Sequence, residues 1–394
     1  MKLKYILAPI AIATACCQYA VADPGNFASR WEAGMRGGYA FNSNPVLMNR
    51  MLPDGETTHS AMSWHLRYSF SKPNAGRNAS VYQGLGFSVN TFLQPHRIGT
   101  PIGVYIFQGA PIVAFSNRFS LDYEWNFGAT FGWEKTPNGN DIRSNLVVGS
   151  TVNAYLNLGF KLSYALTEAV SLSGGLDLSH YSNGNTSWPN PGVNTIGASV
   201  GIIYTPGSKL LKPVSPFTSD NDFSQGVSYD IMAYGAWRKS YFPADDGAFT
   251  EAGERSLLPG HFGVAGVTFA PMWDLHPVFR TGVSADIQWS ENTGLTKYVV
   301  PDTYGEDIKF YRPPFLRQVS VGVSARAELV MPIFSLNAGI GYGIVGPGET
   351  RKLYQTVNLK TYITGPVFLN IGYRMVEFKS PSNLMLGVGI TLGR

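Results

Sequence analysis

The feature that most restricts the fold of this chain is a period-two alternation of apolar and small or polar residues over unusually long segments. Successive side chains of a β-strand point to opposite faces, so such a segment has one apolar face and one polar face. The clearest pair flanks a turn-rich stretch at 183–193, and each flank is about 11 residues long. A tilted strand needs ~9–11 residues to cross a bilayer. The pattern therefore predicts membrane-spanning β-strands.

A soluble β-sandwich would also alternate, so length and aromatic placement must separate the two folds. Several segments reach ten or more residues, whereas strands of globular proteins average ~5–6. The apolar faces often end in aromatic residues such as Tyr39, Phe41 and Tyr204, and these suit the aromatic girdle at a membrane interface. Both observations favour an all-β, antiparallel outer-membrane β-barrel.

Composition supports this fold and excludes others. The chain contains 44 Gly and 25 Pro, and only 14% of its residues are charged, against ~25% in typical soluble domains. No run of ~18 apolar residues exists, which rules out a helical membrane protein. The net charge of +4 is small and dispersed. It therefore argues against nucleic-acid binding and suits an anionic lipopolysaccharide leaflet.

The strand-like segments fall into two sets. In the first half we predict about eight strands, at 30–41, 61–71, 81–92, 102–114, 118–133, 147–165, 170–182 and 194–205. Residues 206–225 are rich in Pro, Ser and Asp and are predicted to be a linker. Residues 226–394 repeat the plan with about eight more strands, which suggests a diverged internal duplication. The two sets could form two small barrels or one larger barrel.

The N-terminus resembles a secretory signal. Residues 1–22 contain two lysines, an apolar run and an Ala20-Val21-Ala22 cleavage site. The only cysteines, Cys16 and Cys17, lie inside this segment, so cleavage after Ala22 would leave a mature chain without thiols. Lipoprotein processing at one of these cysteines is the alternative. Ala13 or Thr14 stands where such processing sites usually have a larger aliphatic residue.

The hairpin around 183–193 carries the candidate chemistry. Period-two spacing places His180, Ser182 and Asn194 at one end of the apolar face. Short connections at 116–117 and 166–169 alternate with long ones at 42–60, 134–146 and 183–193, as periplasmic turns alternate with outer loops in such barrels. The hairpin tip is therefore expected to face the cell exterior, with His180 and Ser182 near the outer leaflet.

The run His180-Tyr181-Ser182-Asn183, followed by Pro189-Asn190-x-Gly192 and a polar residue at position 194, resembles the signature of the lipid A 3-O-deacylase (PagL), acyloxyacyl hydrolase-like family of outer-membrane esterases. The resemblance covers about residues 27–205 and places the signature in the last hairpin, as in that family. It implies an outer-membrane ester hydrolase that acts on lipid A or lipopolysaccharide without a cofactor.

The resemblance also implies roles for individual residues. His180 would take the proton of Ser182, whose oxygen would attack an acyl ester, and a third group would hold the imidazole. The family uses Glu for that third group, whereas the matching residue here is Asn194. Asp177 lies on the opposite face and is not expected to substitute. Asn183, Asn190 and the backbone around Gly184 are the candidates for an oxyanion hole.

Two other functions remain open at this stage. One is a catalytically inactive structural or adhesive barrel in which Asn194 marks a lost triad. The other is a porin-like channel, which would require both halves to form one wide barrel because side chains fill an eight-strand interior. We expect no metal site, because the other histidines lack ligand spacing, and no nucleic-acid partner. The oligomeric state is left open, with a homodimer as one option.

Overall fold

The computed structural model describes residues 28–41, 59–71, 78–95, 98–134, 148–184, 186–187, 192–209, 211–217, 225–242, 256–300, 308–331, 334–378 and 380–393. The predicted signal segment at 1–22 lies outside these ranges. Within them, no helix is long and apolar enough to cross a membrane.

Eight antiparallel strands form a closed barrel in the first half of the chain. They are β1 (Ala28–Ala40), β2 (Ser60–Ser71), β3 (Tyr82–Thr91), β4 (Gly99–Ala114), β5 (Phe119–Trp133), β6 (Val152–Ala165), β7 (Val170–Ser182) and β8 (Val193–Tyr204). Each strand pairs with its sequence neighbours, and β1 pairs with β8 to close the barrel. Closure leaves no strand edge unpaired, as a β-structure in lipid requires.

A second closed barrel of eight strands forms in the other half. Its strands are β9 (Val227–Arg238), β12 (Phe262–His276), β13 (Phe279–Ser290), β14 (Val319–Val330), β15 (Phe334–Val345), β16 (Leu353–Thr364), β17 (Val367–Val376) and β18 (Ser380–Leu392), with β9 pairing with β18. The short strands β10 (Tyr241–Phe242) and β11 (Ser256–Leu257) form a separate two-stranded sheet. The all-β barrel prediction is confirmed, and two barrels rather than one larger barrel are present.

The predicted strand limits agree with the structure to within a few residues, with one exception. The sixth strand was expected to begin at 147, but β6 begins at Val152. The hydroxyl of Ser150 donates to the carbonyl of Val152 and accepts from its amide. This local turn, of the kind that serine favours, delays the strand despite the apolar residues before it.

Side chains of β6 show the two environments of the wall. Leu158 and Phe160 point outward and are 53% and 61% exposed, whereas Lys161 points inward and is 6% exposed. The same inversion, with apolar residues outside and polar residues inside, runs through both barrels. It is the arrangement of a barrel surrounded by hydrocarbon.

The interior of the first barrel is crossed by a ring of four charged side chains. Arg67 donates to Glu32 at 3.1 Å and also binds Glu124. Lys161 completes the ring, with its Nζ 2.9 Å from a carboxylate oxygen of Glu32 and 2.9 Å from one of Glu124. Two cations and two anions alternate, so each buried charge has two partners of opposite sign.

The second barrel contains a ring of the same composition. Arg280 donates to Glu328 at 3.0 Å and lies 3.5 Å from Asp230. Lys360 lies 2.5 Å from Asp230 and also binds Glu328. Each barrel interior thus contains a ring of ion pairs made by one Arg, one Lys and two carboxylates. Side chains are expected to fill the interior of an eight-strand barrel.

Loop lengths assign the ends of each barrel. In the first barrel, β4–β5 and β6–β7 are joined by four residues each, at 115–118 and 166–169, whereas the opposite end carries 134–151 and 183–192. In the second, the short connections 277–278 and 365–366 lie opposite the long ones at 239–261 and 291–318. Long loops mark the outer end of such barrels, so β7 and β13 both run outward.

Part of the predicted linker packs on the first barrel. The amide of Val214 donates to Ser80 Oγ at 2.8 Å, and Ser215 Oγ donates to the carbonyl of Ile112 at 2.9 Å. Phe217 packs edge-on against Tyr123, with ring centroids 5.6 Å apart. The segment 211–217 is therefore held by specific contacts.

Candidate active site

The register of β7 and β8 brings two predicted site residues opposite each other. His180 pairs directly with Asn194 across the hairpin, and Ser182 lies two residues beyond His180 on the same strand. His180 Nδ1 is 2.6 Å from Asn194 Oδ1, and His180 Nε2 is 2.9 Å from Ser182 Oγ. The structure thus joins three residues, predicted from their spacing, in one continuous hydrogen-bond chain.

The chemistry of the amide sets the direction of this chain. Asn194 presents Oδ1 to the imidazole, and because an oxygen in this position accepts a hydrogen bond, His180 carries its proton on Nδ1 and donates it to Asn194. His180 Nε2 is then left with its lone pair directed at the Ser182 hydroxyl, which donates. This is the tautomer that a general base for serine requires.

The three side chains lie at the outer end of the apolar wall. Ser182 is 9% exposed, and His180 and Asn194 are partly buried. On the same wall, Leu178 precedes His180 and Ile196 follows Asn194, and they are 54% and 45% exposed. The polar chain is therefore bordered by side chains that face lipid.

Asp177 lies inside the barrel. Its Oδ1 accepts from Arg36 Nε at 2.6 Å and from Asn157 Nδ2 at 2.8 Å. Because the strand wall separates it from His180, Asp177 does not provide an acidic third member, in agreement with the face assignment from the sequence.

Gly192 shapes the space beside the imidazole. Its backbone is left-handed, with φ of +70°, and a Cβ at this position would lie 2.9 Å from His180 Cε1. Glycine adopts this conformation without the strain that other residues incur. Gly192 therefore allows the backbone at this position to pass close to the His180 ring.

The candidates for the oxyanion hole are only partly described. Asn183 is buried directly after Ser182, and Gly184 follows in a left-handed conformation with φ of +64°. Asn190 lies outside the described residues. The assignment of these three residues to an oxyanion hole remains a prediction.

A row of small side chains leads away from Ser182 across the outer wall, and it was not predicted from the sequence. Ser182 pairs with Ala154 on β6, which pairs with Ala129 on β5, which pairs with Val104 on β4. The next pairing places Phe87, 44% exposed, at the far end of the row. Two rows of larger outward-facing side chains flank this row on β5 and β6. One contains Leu156 and Phe127, and the other contains Val152 and Phe131.

The row of small side chains between two rows of large ones forms a trough across the outer wall of the first barrel. We call it the alanine trough. Small residues occupy its floor and large residues its two edges. Strands lie ~4.8 Å apart, so the trough extends about 14 Å from β7 to β4. The residues were visible in the sequence, but their alignment depends on the registers of three strand pairs.

No group of three or more His, Cys, Asp or Glu side chains in the described ranges is arranged to hold a metal ion. The chemical groups available at the candidate site are the hydroxyl, the imidazole and the amides.

The fold and the site together define a class: a membrane β-barrel with a Ser–His–Asn hydrogen-bond chain on its outer wall. Comparison with protein families identifies the class more narrowly. Residues 48–202 match the family described as lipid A 3-O-deacylase (PagL), and residues 227–394 match the acyloxyacyl hydrolase C-terminal domain. The two matches together span most of the sequence: the first half of the chain matches the lipid A 3-O-deacylase family, and the second half matches the acyloxyacyl hydrolase C-terminal domain.

The match confirms the resemblance seen in the sequence and alters its extent. The first match begins at residue 48, so β1 lies outside it, although we expected the resemblance to start near residue 27. The second match covers the half in which no family relationship was predicted. Family and fold together indicate an outer-membrane protein of a family of ester hydrolases that act on lipid A.

Among solved structures, the chain is similar to the siderophore receptor PirA from Pseudomonas aeruginosa, with 10% identity over 92% of this chain and 80% of that chain and a TM-score of 0.26. It is similar to BamA from Haemophilus ducreyi lacking POTRA domains 1–3, with 10% identity, coverage of 93% and 70%, and a TM-score of 0.20. At such scores these similarities carry no argument. No curated protein matches the sequence significantly.

Proposed function

We propose that the first barrel is an esterase that removes a fatty acyl chain from lipid A by 3-O-deacylation in the outer leaflet. The observation that carries this proposal is the hydrogen-bond chain Ser182–His180–Asn194 on the apolar outer wall. A nucleophile placed there meets its substrate within the membrane, where the acyl ester of a lipid lies.

In the first half of the reaction, Ser182 Oγ attacks the acyl carbonyl carbon while His180 Nε2 takes the hydroxyl proton. The tetrahedral intermediate collapses when the bond to the sugar oxygen breaks, and His180 returns its proton to that oxygen. Ser182 then carries the acyl chain as an ester. In the second half, water gives a proton to His180 and attacks the ester carbon, and the fatty acid leaves as Ser182 regains its proton.

Asn194 acts as the orienting residue in this scheme. Its amide oxygen, 2.6 Å from His180 Nδ1, fixes the ring and its tautomer, but it cannot balance the charge of the imidazolium as a carboxylate would. The negative oxygen of the intermediate requires donors, which we assign to Asn183, Asn190 and the backbone at Gly184. One such donor typically contributes ~3 kcal/mol.

The alanine trough supports a fatty acyl chain as the group transferred. It begins at Ala154, directly opposite Ser182, and its floor residues Ala154 and Ala129 are partly exposed. At about 14 Å it accommodates an extended chain of roughly ten carbons. Phe87 closes the trough and would limit the length of the chain.

The main competing function is a structural or adhesive barrel without activity. The feature that favours it is Asn194, which stands where the family has an acidic residue. The porin-like alternative required one wide barrel, whereas each half closes on itself around a ring of charged side chains.

Mass spectrometry of lipid A after incubation with the refolded protein tests the proposal. Wild type and the matched control Ser208→Ala, which changes a serine in an exposed turn, should release one hydroxyacyl chain. Ser182→Ala should release none. Retained activity in Ser182→Ala would refute the mechanism, and an absence of product with wild type on lipid A and on short-chain esters would support the inactive barrel.

A further inference from the structure

One turn at the outer end of the second barrel exposes apolar side chains that a water-facing loop would bury. It is Tyr311-Arg312-Pro313-Pro314-Phe315-Leu316-Arg317, which we call the 311–317 turn. Tyr311, Phe315 and Leu316 are 73%, 66% and 83% exposed. Large apolar groups that are this accessible and adjacent to each other usually mark an interaction site.

The turn is held in place by a buried glutamine. Gln318, 5% exposed, accepts from Trp289 Nε1 at 2.6 Å and donates from Nε2 to the carbonyl of Pro313 at 2.9 Å. Two further bonds close the turn, from the amide of Arg317 to the carbonyl of Pro314 and from the amide of Gln318 to that of Phe315. The exposed side chains are therefore presented by an ordered backbone.

The loops around the turn have an apolar core of their own. Leu258, Phe262, Leu295 and Ile308 are buried together at this end of the barrel, with Val299 and Phe310 packed against them. These loops therefore bury an apolar cluster of their own, but the apolar side chains of the 311–317 turn are not part of it.

The turn lies against the membrane-facing wall. Phe315 stacks on Trp289 with ring centroids 6.5 Å apart and an interplanar angle of 27°. Trp289 is at the outer end of β13 and points to the outside of the barrel, in phase with the exposed residues Val283 and Ile287. Trp289 occupies the level of the aromatic girdle, so Phe315 and Leu316 extend from the wall at that level.

Charge completes the pattern. Arg312 and Arg317 flank the apolar pair, both are exposed, and no acidic residue lies within 311–317. Arg312 binds Glu291, yet its side chain remains 66% exposed. Asp302, Glu306 and Asp307 of the same loop lie outside the described residues.

We propose that the 311–317 turn is a binding site for a phosphorylated outer-leaflet lipid. Phe315 and Leu316 enter the acyl region while Arg312 and Arg317 bind the headgroup phosphate. Guanidinium groups match phosphate geometry, and aromatic and apolar residues beside cations are typical of membrane interfaces. The site belongs to the second barrel alone and does not depend on hydrolysis at Ser182.

Its membrane insertion can be measured with a single cysteine. In a chain carrying Cys16→Ser and Cys17→Ser, Leu316→Cys is labelled with an environment-sensitive fluorophore and the protein is inserted into phospholipid vesicles. We expect blue-shifted emission that is quenched by lipids brominated on their acyl chains. Lys297→Cys, at an exposed position in the same loop, is the control and should keep water-like emission.

Phosphate recognition is tested in detergent with the labelled Leu316→Cys chain, in which Ser182→Ala prevents turnover. Diphosphorylated lipid A should shift the emission at low concentration, and the dephosphorylated lipid should require more. A cation beside an anionic headgroup contributes about fivefold in affinity, so Arg312→Gln with Arg317→Gln should weaken binding about 25-fold. The control pair Lys297→Gln with Lys309→Gln should change it little.

Three results would overturn the proposal. One is equal emission from the Leu316 and Lys297 labels in vesicles, which would favour a protein partner for the turn. Another is equal affinity for the phosphorylated and dephosphorylated lipids. The third is a shift produced by inorganic phosphate alone, which would indicate an anion site without lipid specificity. Loss of deacylase activity would leave all three measurements interpretable, because fluorophore emission reports on the 311–317 turn and does not depend on hydrolysis at Ser182.

Discussion

Replacing Asn194 by Asp tests whether a negative charge beside His180 stabilises the imidazolium that forms during the proposed reaction. The two side chains have the same shape, so the carboxylate oxygen should take the place of Oδ1, 2.6 Å from His180 Nδ1. The existing tautomer is already the productive one, so the change adds charge without altering the hydrogen-bond pattern. We expect Asn194→Asp to raise kcat.

The size of the rise can be bounded. Replacing a neutral by a charged acceptor adds about 1 kcal/mol to a hydrogen bond, which is roughly fivefold in rate. Full Coulomb stabilisation of the imidazolium, with charge centres about 4 Å apart and an effective dielectric constant of about 20, adds about 4 kcal/mol, or roughly 10³-fold. Because the site is partly exposed at the barrel end, we expect a rise of about 10- to 100-fold.

The assay is steady-state hydrolysis of a short-chain ester by wild type, Asn194→Asp and Asn194→Leu, refolded into the same detergent. Asn194→Leu removes the acceptor and frees the imidazole to adopt the wrong tautomer, a defect that costs about 10⁴ in kcat in serine proteases. We therefore expect a fall of up to that size. If Asn194→Asp leaves kcat unchanged or lowers it while the barrel remains folded, the expectation that a negative charge at this position stabilises the imidazolium is wrong. If Asn194→Leu retains the wild-type kcat, the orienting role of Asn194 is wrong.

Three further predictions concern the surroundings of the site. Ala129→Leu fills the alanine trough and should abolish hydrolysis of long-chain esters while sparing short-chain esters. The control Ala198→Leu, elsewhere on the wall, should affect neither. Equal losses on both ester lengths would contradict the proposed role of the trough. Gly192→Ala places a methyl group against the imidazole, and because a displacement near 1 Å can cost about 10² in rate, kcat should fall by about that factor, while the left-handed backbone should cost only about 1–2 kcal/mol of unfolding free energy in a urea titration. Lys161→Met leaves two buried carboxylates short of a partner and should cost about 3–5 kcal/mol of unfolding free energy in a urea titration; an equal effect of Lys209→Met, at an exposed position, would show that the ring is not responsible.

The sequence was most informative where one physical rule dominates. Period-two alternation decides the strands of a barrel in lipid, because each residue must face either hydrocarbon or the interior, and it placed seven of the first eight strands within a few residues of their observed limits. The same rule put His180, Ser182 and Asn194 on one face. Their contact then followed from the hairpin register.

The features that the sequence did not reveal depend on relations between distant strands. The alanine trough needs three registers at once, and Ala154 and Ala129 have no distinctive neighbours in the sequence. The charged rings join Glu32 to Lys161 and Asp230 to Lys360, each across about 130 residues. Alternation predicts that these side chains point inward, but it does not say which of them meet.

Because Ser182 lies on the outer wall, the substrate concentration that matters for the proposed reaction is the concentration within the membrane. A lipid would approach the alanine trough by lateral diffusion within the leaflet, and the released fatty acid would remain in the same layer. The quantity that governs the rate is then the mole fraction of substrate in the membrane. Adding inert lipid would slow the reaction by surface dilution even when the amounts of protein and substrate in the tube stay the same.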